Sequence, residues 1–249
     1  MPLRLVSSPA KRTRIFQETH ALWLLAWPIL VGQLANVGMS VIDVAMAGHA
    51  SAEDLAGVSL GVSIWNMVII TLMGVMMSIS PVVSHHVGAK AFDRVPEVVR
   101  QGLWKALGVG LIAMVFANVA TLVFDHLSLE PKVRDLAKNF VHITSFALPA
   151  FACYRILYGY SASLNQTKPL MITALAALVL NGVVNWLLIF GNWGFPKLGG
   201  LGCAWATLLC VWFNLFVLLW WMRRAPAYRR VIFCCFDART AQAYQTKME

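Results

Sequence analysis

Long apolar runs separated by short polar links occupy most of the chain. Six runs stand out, at 20–47, 55–81, 102–124, 140–163, 170–190 and 202–222. Each matches or exceeds the roughly 20 apolar residues that a bilayer-spanning helix needs. They are continuous rather than alternating, which argues against a transmembrane β-barrel. The links at 49–54, 165–169 and 191–200 are short, so neighbouring helices must run antiparallel. The link at 82–101 is longer and has room for an interfacial helix near 92–100. The pattern predicts an all-α, polytopic membrane bundle of six transmembrane helices over 20–222. An N-terminal segment, 1–19, precedes it and a tail, 223–249, follows.

Composition strengthens this reading. Hydrophobic residues make up 59% of the chain and charged residues 12%, against about 25% charged in a soluble domain. That charge cannot cover a water-soluble globule of 249 residues, and disorder, coiled coil and disulfide scaffold fail on the same numbers. The net charge of +9 sits mostly in loops and tails. It therefore points to anionic membrane lipid as a partner and not to nucleic acid. With the N-terminus placed in the cytoplasm, fourteen of the 20 Lys and Arg fall on the inner side and four on the outer. Both termini are expected inside. The polar, basic start and the length of the first apolar run do not suit a cleavable signal peptide. The five cysteines, Cys153, Cys203, Cys210, Cys234 and Cys235, show no metal or redox spacing and read as packing residues. Adjacent His85 and His86 cannot face one way on a helix, so no metal site is expected.

The chemistry concentrates on one acid. Of eleven acidic residues, only Asp43 lies within an apolar run. A carboxylate at that depth is costly and marks a functional site by default; a neutral carboxyl bonded between helices, or one reaching the outer headgroups, would be the structural alternatives. Gln33, Asn36, Ser40 and Asp43 fall within a helical stripe roughly 80° wide. Lipid cannot satisfy such a stripe, so it must face other helices or water. Matching stripes occur as Ser59, Ser63 and Asn66; Tyr154, Tyr158 and Ser161; Asn181 and Asn185; and Cys203, Thr207, Cys210 and Asn214. Any one of them could be interhelical glue. Together they suggest a polar chamber whose hard oxygen ligands suit a proton, Na⁺ or an organic cation.

Arg155 and Lys105 are the basic residues inside the spans. Counting along straight helices puts Arg155 about 18 Å from Asp43 along the membrane normal, so Arg155 is expected to snorkel inward or meet carbonyls. Asp43 then lacks a fixed cationic partner and can exchange a proton or bind a cation. Pro28 sits early in the first run, Pro149 lies inside the fourth helix and Pro81 closes the second, and each permits a bend. Gly32, Ala35, Gly108, Gly110, Gly182 and Ala204 suit close helix packing.

Several stretches resemble the MATE (multidrug and toxic compound extrusion) transporters, the NorM type above all. They are Trp27-Pro-Ile-Leu30, Gly38-Met-Ser-Val-Ile-Asp-Val-Ala-Met-Ala-Gly48, Leu55-Ala-Gly-Val-Ser-Leu-Gly61, Gln166-Thr-Lys-Pro169, Asn181-Gly-Val-Val-Asn185, Phe190-Gly191 and Gly199-Gly-Leu-Gly-Cys-Ala-Trp-Ala-Thr207. The resemblance runs from about 20 to 232. It implies an inner-membrane antiporter, not an enzyme, that exports small cationic amphipathic compounds in exchange for Na⁺ or H⁺ and needs no cofactor. It implies one lobe of a twelve-helix fold, with a C-terminal lobe as the missing partner. By the same resemblance, Asp43, Asn181, Asn185 and Thr207 form the cation or proton site, and Pro28 bends the first helix. The polar stripes themselves add Asn36 to that site and assign Gln33, Ser40, Ser63, Asn66, Tyr154 and Tyr158 to the substrate chamber. Other branches often carry an acid where this chain has Asn185.

Three rival functions remain at this stage. A lipid-linked oligosaccharide flippase shares a related fold, but it would need a cationic chamber for pyrophosphate. An intramembrane enzyme would need paired acids, Ser-His or a zinc trio. A non-transporting membrane scaffold would leave the polar stripes without a role.

Overall fold

The computed structural model describes residues 9–224 except 90, 92, 93 and 127, and side chains from residue 19 onward except that of Ala21. The terminal segments, with Cys234 and Cys235, lie outside the described residues. Eight α-helices cover the rest: α1 (Pro9–Ala50), α2 (Ala52–Met76), α3 (Ile79–Gly88), α4 (Val95–Ala120), α5 (Pro131–Ser145), α6 (Leu148–Ser163), α7 (Lys168–Phe190) and α8 (Leu201–Arg224). By length and composition, five spans are long and apolar enough to cross a membrane. They become six when α5 and α6, bent by 47° at their junction, count as one span. The protein is thus an all-helical, multi-pass membrane protein.

Local chemistry explains where the helices start and stop. Only Ser51 separates α1 from α2, so the link expected at 49–54 is almost entirely helical. The Ser51 side chain accepts a 2.9 Å hydrogen bond from the Asp54 N–H, and Glu53 and Asp54 add negative charge to the first turn, both favourable at a helix N-terminus. Prolines occupy the first or second position of α4, α5, α6 and α7, where the missing N–H costs nothing. Gly191 ends α7 in the left-handed conformation, φ 72°, and donates 3.0 Å to the Leu187 carbonyl, as helix C-termini favour.

Three features differ from the sequence expectation. Pro81 does not close the second span. The break falls at Met77–Ser78, and α3 continues through Pro81 to Gly88. The expected interfacial helix near 92–100 is not separate either: 95–100 form the first turns of α4, while 92 and 93 lie outside the described residues. Pro149 sits at the start of α6 and not inside a helix. With no N–H, it cannot donate to the preceding turn. Ala147 instead donates 2.9 Å to the Thr144 carbonyl, while the Ser145 hydroxyl donates 2.7 Å to that of His142. Helix α1 is continuous through Pro28.

The main helix pairings are α1 with α7, α4 with α6, α7 with α8, and α2 with α5. Three buried clusters hold them together. One, including Ile79, Val99, Ile156, Tyr160 and Leu218, ties α3, α4, α6 and α8. Another, including Val68, Leu72, Ala117 and Val141, ties α2, α4 and α5. The third, Ala47, Val58, Phe140, Ile189, Cys203 and Ala204, surrounds the end of α1 that carries Asp43. Large apolar side chains elsewhere face outward, among them Leu30 and Leu34 on α1 and Ile112 and Val115 on α4, as lipid contact requires.

Small residues separate into two kinds. Ala35 and Ala204 are buried, and a Cβ on Gly32 would sit in ordinary contact with α7. At Gly110 a Cβ would lie 2.6 Å from the Pro149 Cα, so α4 and α6 cross backbone to backbone. Gly108 and Gly182, expected at close contacts, face open space. Gly110→Ala should therefore destabilise the protein by about 1–3 kcal/mol, seen as a lower melting temperature in detergent. Gly108→Ala should be neutral or slightly stabilising. Equal melting temperatures for the two variants would contradict this packing.

Candidate functional site

Asp43 lies near the end of α1, where α7 and α8 supply its partners. Asn181 and Asn185 are one helical turn apart on α7 and face the same way. The Asn181 Nδ2 donates to Asp43 Oδ1 at 3.1 Å, and the Asn185 Nδ2 donates to the same oxygen at 2.5 Å. Asn185 Nδ2 also donates to Asn181 Oδ1 at 3.2 Å, which orients the pair. From α8, the Thr207 hydroxyl donates to Asp43 Oδ2 over a longer 3.5 Å contact. The Cys203 thiol donates to the Asp43 main-chain carbonyl at 3.5 Å. Both asparagines are buried, at 1% and 0% exposure. Among the described residues no Lys, Arg or His forms an ion pair with Asp43.

This arrangement has a leftover acceptor. Asn185 Oδ1 is buried without a hydrogen-bond partner, and such an atom normally finds one. The two Asp43 oxygens and the Thr207 hydroxyl beside them are hard oxygen donors, suited to a proton or an alkali cation rather than to a soft metal. Among the described residues no three His, Cys, Asp or Glu side chains gather to hold a metal ion.

Asp43 also opens onto a cavity of about 250 Å³ between α1, α2, α5, α6, α7 and α8. Gln33, Asn36, Ser40, Asp43, Asn66, Tyr154, Tyr158, Asn181 and Thr207 all line it. Gln33, Asn36 and Ser40 are exposed along its open side. Asn185 is not in the wall; it stands behind Asp43 and holds it. Ser63 is not among the residues that line the cavity. The cavity face of α2 carries Val62, Trp65, Asn66, Ile69 and Met73, and Ser63 falls about 100° from Val62 around the helix. Its hydroxyl donates to the Ser59 carbonyl at 2.9 Å. Pro28 is likewise not among the cavity residues.

Arg155 departs most from expectation. It lines the same cavity as Asp43, with its guanidinium carbon 4.8 Å from the centre of the Tyr158 ring. Arg155 sits in the second half of a span bent by 47° before α6, and a count of depth along a straight span does not say which wall a long side chain reaches. Trp65, Phe140 and Phe151 add aromatic walls. Their sequence context did not separate them from lipid-facing or core aromatics. Asn214 belonged to a recognised stripe, and its buried Oδ1 also lacks a partner at the cavity wall.

Known proteins share both this sequence and this architecture. Two relatives carry the name "Probable multidrug resistance protein NorM". The one from Chromobacterium violaceum is 39% identical over 84% of this chain and 45% of its own length. The one from Acinetobacter baylyi is 35% identical over 85% of this chain and 47% of its own. A Klebsiella pneumoniae protein named "Multidrug resistance protein MdtK" is 32% identical over 88% of this chain and 48% of its own. This chain therefore spans about half the length of the curated relatives it matches. Among solved structures, a eukaryotic MATE transporter aligns with a TM-score of 0.79 at 20% identity, over 86% of this chain and 47% of that one. A MOP superfamily transporter from Pyrococcus furiosus aligns with a TM-score of 0.72 at 19% identity, over 81% of this chain and 44% of that one. At these identities the structures speak for the fold. The MatE family model matches residues 28–187, a stretch that includes Asp43, Asn181 and Asn185, and the chain belongs to that family.

Proposed function

We propose that this chain is the N-terminal lobe of a secondary active multidrug efflux antiporter, which exchanges cationic amphipathic compounds for Na⁺ or H⁺ across the inner membrane. Both termini lie in the cytoplasm on this reading. One observation carries it: Asp43, inside a span, is held by Asn181, Asn185 and Thr207 yet has no cationic partner among the described residues. A carboxylate so placed is stabilised by donors but not neutralised, so its charge is available to an exchangeable cation. The cavity beside it joins apolar and aromatic walls to polar groups, the usual character of a small-molecule site.

The mechanism follows from competition at Asp43. A proton or Na⁺ entering from outside, and a cationic compound entering from the cytoplasm, cannot both be compensated by one carboxylate. Ion occupancy favours release of the compound, and loss of the ion inward resets the site. In transporters of this kind the central site forms between two lobes that rock about it. This chain supplies one wall, with Gln33, Asn36 and Ser40 exposed toward the open side. A second lobe is the partner that completes the chamber. The names of the relatives, which describe multidrug resistance, and the family match support the same reading.

Two outcomes test it. Joined to a second lobe and reconstituted in vesicles, the protein should export ethidium under an imposed Na⁺ or H⁺ gradient, and Asp43→Asn should reduce that export to the passive leak. Undiminished gradient-driven export by the variant would remove Asp43 from the mechanism. Vesicles holding this chain alone should show no gradient-driven efflux. Robust efflux from them would show that one lobe suffices.

A further inference from the structure

The cavity has a second charged pole that the exchange of cations does not use. Arg155 lies within a membrane span and lines the cavity, a position where an unpaired cation is costly and marks a function by default. Among the described residues its guanidinium forms no ion pair; its charge rests only over the Tyr158 ring, 4.8 Å away. Stacking uses the face of the guanidinium and leaves its planar fork of N–H donors free. That fork matches a carboxylate in bidentate geometry. Asp43, the carboxyl group in the cavity wall, does not pair with it among the described residues. Asn214, 8% exposed, lines the same cavity, and its unpartnered Oδ1 is a further polar contact.

We infer that Arg155 is an anion anchor, so that the cavity prefers zwitterionic amphiphiles, taking their carboxylate at Arg155 and leaving their cationic portion to Asp43 and the aromatic walls. This rests on reading the cavity as the substrate chamber. The two poles would act as a selectivity device. A monocation satisfies Asp43 but leaves Arg155 half-buried and without an ionic partner. A monoanion does the reverse. A zwitterion of suitable length satisfies both, while its ring system contacts Trp65, Phe151 and Tyr154.

The test uses this chain in lipid nanodiscs, with empty nanodiscs as background, and fluorescence anisotropy as the readout. The probes are rhodamine B, which carries a free carboxylate and a delocalised cation, and its ethyl ester, which keeps the cation alone. The wild-type chain should bind the acid about tenfold more tightly than the ester, the scale of one charge-assisted hydrogen-bonded pair. Arg155→Gln should abolish the preference while keeping ester binding, which also shows that the variant is folded. Arg155→Lys should restore part of it, since a point charge lacks the fork. Equal binding of the two dyes by the wild type, a preference that survives Arg155→Gln, or no binding above background would each overturn the inference. The first two of those results leave ion-driven export through Asp43 intact. Loss of that export with the preference retained would sink the efflux reading and spare the anchor.

Discussion

A single carboxylate placed among membrane helices sets the terms for everything around it. The hydrocarbon offers Asp43 no solvation, so the protein must supply hydrogen-bond donors from other helices. Asn181 and Asn185 meet this from α7 and Thr207 from α8. The requirement ties α1 to α7 and α1 to α8 through polar contacts laid on top of apolar packing. The tight cluster of Ala47, Ile189, Cys203 and Ala204 around that end of α1 keeps the donors in register.

Donors alone leave the site electrically incomplete. Neutral amides and a hydroxyl lower the cost of a buried negative charge without cancelling it, and a fixed Lys or Arg would have locked it. The chain instead places its intramembrane arginine elsewhere in the same cavity, stacked on Tyr158. A carboxyl group and a guanidinium share one compartment without pairing with each other. Such separation persists only where rigid elements hold the groups apart. The backbone crossing at Gly110 and Pro149 anchors α6, the helix that carries Arg155, against α4.

The broken spans serve the same end. The bend between α5 and α6 lets one span contribute Phe140 from its first half and Phe151, Tyr154, Arg155 and Tyr158 from its second to a single cavity. A straight helix would spread these residues along the bilayer normal. Proline at the start of α6 and the side chains of Thr144 and Ser145, which donate to preceding carbonyls, make the bend compatible with a span, because they meet the backbone needs that the break creates.

Much of this was legible in the residues themselves. Apolar run length fixes the number of spans, because bilayer thickness is a physical constant of the environment. Helical periodicity put Gln33, Asn36, Ser40 and Asp43 on one face, and the i, i+4 spacing did the same for Asn181 and Asn185. The lone intramembrane acid needed no coordinates to be noticed. Tertiary structure alone decided three things. Ser63 stays out of the cavity wall while Asn66, about 60° around α2 from it, lies in it, since so small a rotation is invisible until the helix is packed. The spans broke at Met77–Ser78 and Phe146–Ala147, and not where proline stood alone, because local 3-10 hydrogen bonding settles the exact position. Arg155 entered the chamber, because where a long side chain ends depends on a bend and on the aromatic ring waiting for it, and neither is written in the spacing of residues along one helix.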